Sequence, residues 1–123
     1  MNLRSWVRGA AAFVAVAIAM GCEKKDYDHT PPPGKGSVVL DNFTGDEINV
    51  FVDGKPAGRL DNYDDWTLDL FPGLHRLVLD QHHGPRYAAW EVDVLDGHLT
   101  VIRIRVASGD WRGYDGEFSV RSP

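Results

Sequence analysis

Cysteine is almost missing from this chain: of 123 residues, only Cys22 carries a thiol. A single thiol closes no internal disulfide, so whatever folds here must hold by burial and hydrogen bonding. Long hydrophobic runs are missing too. The longest uncharged apolar stretch, Gly9 to Met20, falls short of the ~20 residues that a membrane-crossing helix requires. Basic charge is also scarce. Arg4 and Arg8 are the only charges before Cys22, and the remainder carries eleven Lys and Arg against eighteen Asp and Glu, a formal −7. Nucleic acid is excluded as a partner, because phosphate binding needs a clustered excess of Lys and Arg, and an anionic bilayer surface is disfavoured for the same reason. No stretch after Cys22 sustains apolar residues at a spacing of 3.6, which removes helices from the folded part.

At the start, Met1 to Gly21 has two arginines, then the apolar run, then a small residue directly before Cys22. That is the layout of a secretory signal. With Ala19, Met20, Gly21 and Cys22 in this order, the segment resembles a bacterial lipoprotein signal peptide, whose recognition box ends in Gly or Ala followed by Cys. The resemblance implies cleavage before Cys22, lipid on its thiol, and a chain held to a membrane leaflet. A lipidated Cys22 is neither a nucleophile nor a metal ligand. Glu23 stands where the family places Asp to retain a lipoprotein in the inner membrane, which points to the outer membrane, on its periplasmic or surface face.

Residues 22–36 mix charges, glycines and three consecutive prolines with almost no apolar side chain. Such a composition cannot bury enough surface to fold, and Pro31 to Pro33 favour the extended polyproline conformation. The expectation is a flexible linker, reaching on the order of 40 Å at full stretch.

From Ser37 the period becomes two. Ile48, Val50 and Val52 alternate with Asn49, Phe51 and Asp53; Trp66, Leu68 and Leu70 with Thr67 and Asp69; His75, Leu77 and Leu79 with Arg76 and Val78. Trp90, Val92 and Val94 then alternate with Glu91 and Asp93, and Ile102, Ile104 and Val106 with Arg103 and Arg105. Gly54, Pro72–Gly73 and Asp96–Gly97 supply turns. The pattern predicts an all-β fold: a small antiparallel β-sandwich of about six to seven strands over residues 37–123, with Phe118 and Val120 on a last edge strand and Trp66 and Trp90 in the core.

The order GSVVL, VFVDGKPAG, LDLFPGLHRLVL, YAAWEVDVLDGHLTVIRIRV resembles the PEGA family of bacterial surface domains. Val50, Val52, Asp53 and Gly54 match its V-x-V-D-G turn, Gly58 the following glycine, and Gly73 and His75 its G-x-H, although NFTGDEI stands where the tetrapeptide naming the family would fall. The resemblance implies an Ig-like sandwich serving as an envelope module without catalytic residues, and a hydrogen-bonded, structural His75.

The residues themselves offer little chemistry. After Cys22 the serines are Ser37, Ser108, Ser119 and Ser122, none within G-x-S-x-G. DNYDDW, Asp61 to Trp66, lacks the order of a calcium loop and reads as a polar turn. His82, His83 and His98 are weak candidates for a surface metal site, since adjacent residues in an extended loop point different ways. Neither an enzyme nor a cofactor is expected. The aromatics are the better lead: Trp111, Tyr114 and Tyr63 fall in loops, where exposed rings near carboxylates stack on sugars or anchor a protein. For Trp111 the competing expectation is that it folds back to cap the sandwich, and the strand-like Phe118 and Val120 just beyond it favour that. The sequence thus points to a lipid-anchored envelope protein with a structural or protein-interaction module, its partner an envelope protein or, as the alternative, cell-wall glycan or peptidoglycan.

Overall fold

In a computed structural model, residues 26–123 are described; the signal segment 1–21, the lipidation expected at Cys22 and the first residues of the linker lie outside them. Eight strands follow one another among the described residues: β1 Gly36–Asn42, β2 Ile48–Val52, β3 Lys55–Leu60, β4 Asp65–Leu70, β5 Gly73–Gln81, β6 Tyr87–Val94, β7 Leu99–Val106 and β8 Tyr114–Arg121. They form two four-stranded sheets, β4-β1-β7-β8 facing β3-β2-β5-β6. The alternation read from sequence is the alternation of the core. Val38, Leu40, Ile102 and Ile104 from the first sheet meet Ile48, Val50, Leu77, Leu79, Val92 and Val94 from the second. Trp66 and Trp90, expected in the core, pack half-buried against that cluster.

Two features depart from the pattern. The strand that the alternation does not announce is β3, KPAGRL, whose first five residues are all exposed. Its Pro56 is tolerated because β3 is an edge strand with a register irregularity opposite Val50 and Phe51. The second departure is that β1 pairs β7 in parallel, Val39 opposite Val101, while every other pair of these strands runs antiparallel. Parallel neighbours need a long crossover. Here the whole of β2 to β6 lies between them.

The linker also differs from its expectation. Residues 26–36 are not a free tether but a strap laid on the outer face of the first sheet. There the Tyr27 hydroxyl donates to Asp41, His29 Nε2 lies 2.8 Å from Asp69 Oδ1, and the Ser37 hydroxyl donates to the same oxygen at 2.6 Å. The Arg121 guanidinium stands 5.0 Å from the Tyr27 ring centre. Pro31 is buried. The strap ends in a turn in which Lys35 N donates to Pro32 O at 3.1 Å, with Pro33 and Gly34 between them and Gly34 at φ 80°. That is a type II turn, which needs a positive φ at its third residue. Composition could not foresee this contact because the strap binds largely through polar atoms. Val39, Leu99 and Val101, on the strap's side of the sheet, are at most 2% exposed.

Strand directions set two poles. The chain enters β1 at a proximal pole, beside the turns at 53–54, 71–72 and 95–98. Loops 43–47, 61–64, 82–86 and 107–113 gather at the opposite, distal pole.

Candidate functional site

Asn42 ends β1 with its side chain buried at the distal pole. Its Nδ2 donates to Asp46 O (2.8 Å) and Asp61 O (3.0 Å), and its Oδ1 accepts from Thr44 N (2.9 Å) and Thr44 Oγ1 (2.7 Å). A primary amide offers two donors and two acceptor sites, and all four are used. The amide thereby fixes loop 43–47 against loop 61–64.

Loop 43–47 in turn presents Asp46 to Arg86 from loop 82–86. Arg86 Nη1 lies 3.1 and 2.9 Å from the two carboxylate oxygens, and its Nε donates to Trp111 O at 2.7 Å. Tyr114 closes the cluster, its hydroxyl donating to Asp46 Oδ2 at 2.9 Å. Burial, with the Asp46 carboxylate beside it, pushes this phenol well above its ordinary pKa. The Asp46 and Arg86 side chains are 13% and 24% exposed, so the pair is sheltered enough to act as a fixed bolt rather than a loose surface contact. Asp46, Arg86 and Tyr114 thus join three loops, and Arg86 positions the backbone that carries Trp111.

Around this bolt stand exposed rings. Tyr63 is 71% exposed and lies over Gly45, whose Cβ position is 3.4 Å from the Tyr63 hydroxyl. Trp111 is 58% exposed, with the Arg112 guanidinium 5.3 Å from its ring centre. Phe43, under the Arg105 guanidinium at 4.4 Å, and Tyr87 are exposed as well.

Of the three aromatics singled out from sequence, Tyr63 and Trp111 therefore lie at the same pole and face solvent. Tyr114 does not: it begins β8 with its ring inward, 5% exposed, in the core cluster. The capping role expected of Trp111 belongs to Tyr114. The reason is register, since Tyr114 opposes Val106 with its ring on the inward side of the sheet, whereas Trp111 precedes the strand. The histidines separate likewise. His82 and His83 are in a distal loop and His98 is in the proximal turn, where its Nδ1 contacts Asp96 O at 2.8 Å. Among the described residues no group of three His, Cys, Asp or Glu side chains is placed to hold a metal.

Nothing local in the sequence marks Asp46 and Arg86. They are forty residues apart in polar loops, and only the fold makes them neighbours.

No protein-family model matches the chain, and no curated protein matches it. Among solved structures it is similar to the N-terminal domain of AlgF from P. aeruginosa, with a TM-score of 0.54 and 13% sequence identity over 73% of this chain and 96% of that one. At that identity the likeness is one of fold. It places the sandwich in company with another small β domain.

Proposed function

We propose that this chain is a lipid-anchored cell-envelope protein, tethered through Cys22, whose sandwich is a non-catalytic structural or protein-interaction module presenting its distal pole to a partner. The supporting observation is the polarity of the domain. The chain enters at one end, while at the other Tyr63, Trp111 and Phe43 are exposed on loops pinned by Asn42 and by Asp46–Arg86, with Tyr87 exposed at the start of β6. Exposed aromatics held on rigid loops lose little entropy on binding, which is the usual character of an interface anchor.

A glycan or peptidoglycan ligand is the second reading, favoured by the open Trp111 and Tyr63 rings. The two are separated by placing a photo-crosslinking amino acid at Trp111 and, as control, at Phe51 on the outer face of the second sheet. Protein adducts in intact cells from position 111 and not from 51 are the expected result. Sedimentation of the purified protein with cell-wall polymer, lost in Trp111→Ala, without any protein adduct, would replace the protein partner by a glycan. The absence of both adduct and sedimentation would overturn the distal pole as a binding surface.

A further inference from the structure

The proximal pole carries its own apolar surface. Phe71, Leu74 and Leu95 are 69%, 70% and 40% exposed. They come from two adjoining turns. Phe71 precedes β5 and Leu74 stands at its start, where Gly73 pairs with Val94 just ahead of Leu95. Gly36 connects them from the other sheet, pairing with Leu70 and pressing on the Leu95 carbonyl. Lys35 Nζ stands 4.9 Å from the Phe71 ring centre. The nearby charges are mixed, with Asp53, Asp93, Asp96 and Arg76 beside Lys35 and Lys55, so nothing here attracts an anionic surface.

The strap decides what this surface meets. Asp26 lines a cleft with Leu99, Arg121, Ser122 and Pro123, at the start of β7 and the end of β8, which is the proximal pole. Only four peptide steps separate Cys22 from Asp26, a reach of at most about 14 Å. The distal pole lies the length of β7 away, eight residues or roughly 26 Å. A lipid on Cys22 therefore attaches the bilayer at the proximal end of the domain, nearer to that pole than to the distal one.

We infer that the proximal pole seats on the membrane, with Phe71, Leu74 and Leu95 entering the interfacial layer of the leaflet that holds the Cys22 lipid; this rests on the lipid-anchored reading above. Three exposed apolar side chains give too little affinity to hold a free domain on a bilayer, but an anchor within about 14 Å makes the contact intramolecular, where weak apolar contacts suffice. The seating is apolar and independent of anionic lipid. The domain stands upright, its distal loops away from the surface.

The test uses the lipidated protein reconstituted in phosphatidylcholine vesicles, with an environment-sensitive fluorophore on Leu74→Cys and, as control, on Tyr63→Cys; acylated Cys22 offers no competing thiol. The label at 74 is expected to shift to the blue, brighten several-fold and be quenched by bromine-bearing acyl chains, in low and high salt alike, while the label at 63 stays water-like. Acyl mass on Cys22 is read on the same sample. Its absence overturns the anchored reading and the seating with it. Acylated protein whose label at 74 behaves like that at 63 overturns the seating alone. Quenching abolished by salt would overturn its apolar basis.

Discussion

Trp90 and Gly116 meet across an open side of the sandwich, Cζ2 and Cη2 of the indole lying 2.9 Å from where a Cβ on Gly116 would stand. The other open side repeats the arrangement, with Trp66 Cη2 3.0 Å from the Cβ position of Gly58. Each pair joins edge strands of opposite sheets, β6 with β8 and β4 with β3. A tryptophan laid on a glycine seals each lateral seam, and Phe118 completes the first by meeting Trp90 edge-on at 5.3 Å.

Gly116→Ala should therefore force the Trp90 ring outward and cost about 1–3 kcal/mol, the usual cost of overpacking. Gly109→Ala, with nothing within 4 Å of its Cβ position, should stay within about 0.5 kcal/mol. Urea unfolding of the two variants checks the contrast, and equal stabilities would show that the seam yields freely.

Asn42→Ala should cost at least about 2 kcal/mol, since it strips partners from one buried and two part-buried backbone groups at once. Hydrogen exchange should quicken in loops 43–47 and 61–64 while the proximal turns are unaffected. A variant as stable as the parent would mean that the amide is not what holds the distal pole.

Trp111 and Tyr114 should differ in what their loss costs. Trp111→Ala, at an exposed ring, is expected to leave stability within about 0.5 kcal/mol. Tyr114→Phe keeps the buried ring but removes the hydroxyl bond to Asp46, and should cost about 1.5 to 3 kcal/mol, as hydrogen bonds to charged groups do. Thermal melting of the two single variants measures both.

His75 predicts a pH dependence. Its Nδ1 lies 2.6 Å from Asp53 Oδ2 and its Nε2 2.6 Å from Phe71 O; both neighbours are acceptors, so the geometry favours the ring that carries both protons. Partial burial alone would lower its pKa, but these two bonds carry it above the ordinary value, while the Arg76 backbone N–H and then His75 hold Asp53 below its own. A raised histidine stabilises fully below its unfolded pKa of about 6.5 and loses that contribution as pH climbs through the folded value; a lowered aspartate contributes above about 3.9 and loses it as pH falls through its folded value. The pair is thus strongest between about pH 4 and 6.5. The stability difference between the parent and His75→Gln should be larger at about pH 5.5 than at about pH 8. A difference independent of pH would show that His75 acts by packing alone.

Much of this protein is legible in the chain itself. Period-two alternation along Ile48–Val52, Trp66–Leu70 and Leu99–Val106 is a local property of backbone geometry, so the all-β sandwich, the inward residues and the core-facing side of Trp66 and Trp90 follow from the order of residues alone. Turn glycines announce the reversals for the same reason. What tertiary structure alone decided lies where partners are distant and polar. β3 pairs through its backbone and buries only its last residue, Leu60, too little for an alternating pattern; β1 finds its parallel partner across the whole of β2 to β6. The strap is held by Tyr27–Asp41 and His29–Asp69, contacts between residues that composition alone reads as solvated. At the distal pole, β8 begins at Tyr114 and turns its ring inward while Trp111 stays in the loop before it, and Asp46 found Arg86 because three loops converge there. Burial patterns write themselves into sequence because every second residue must comply; a hydrogen bond between loops asks for only two residues, and nothing near either one records the other.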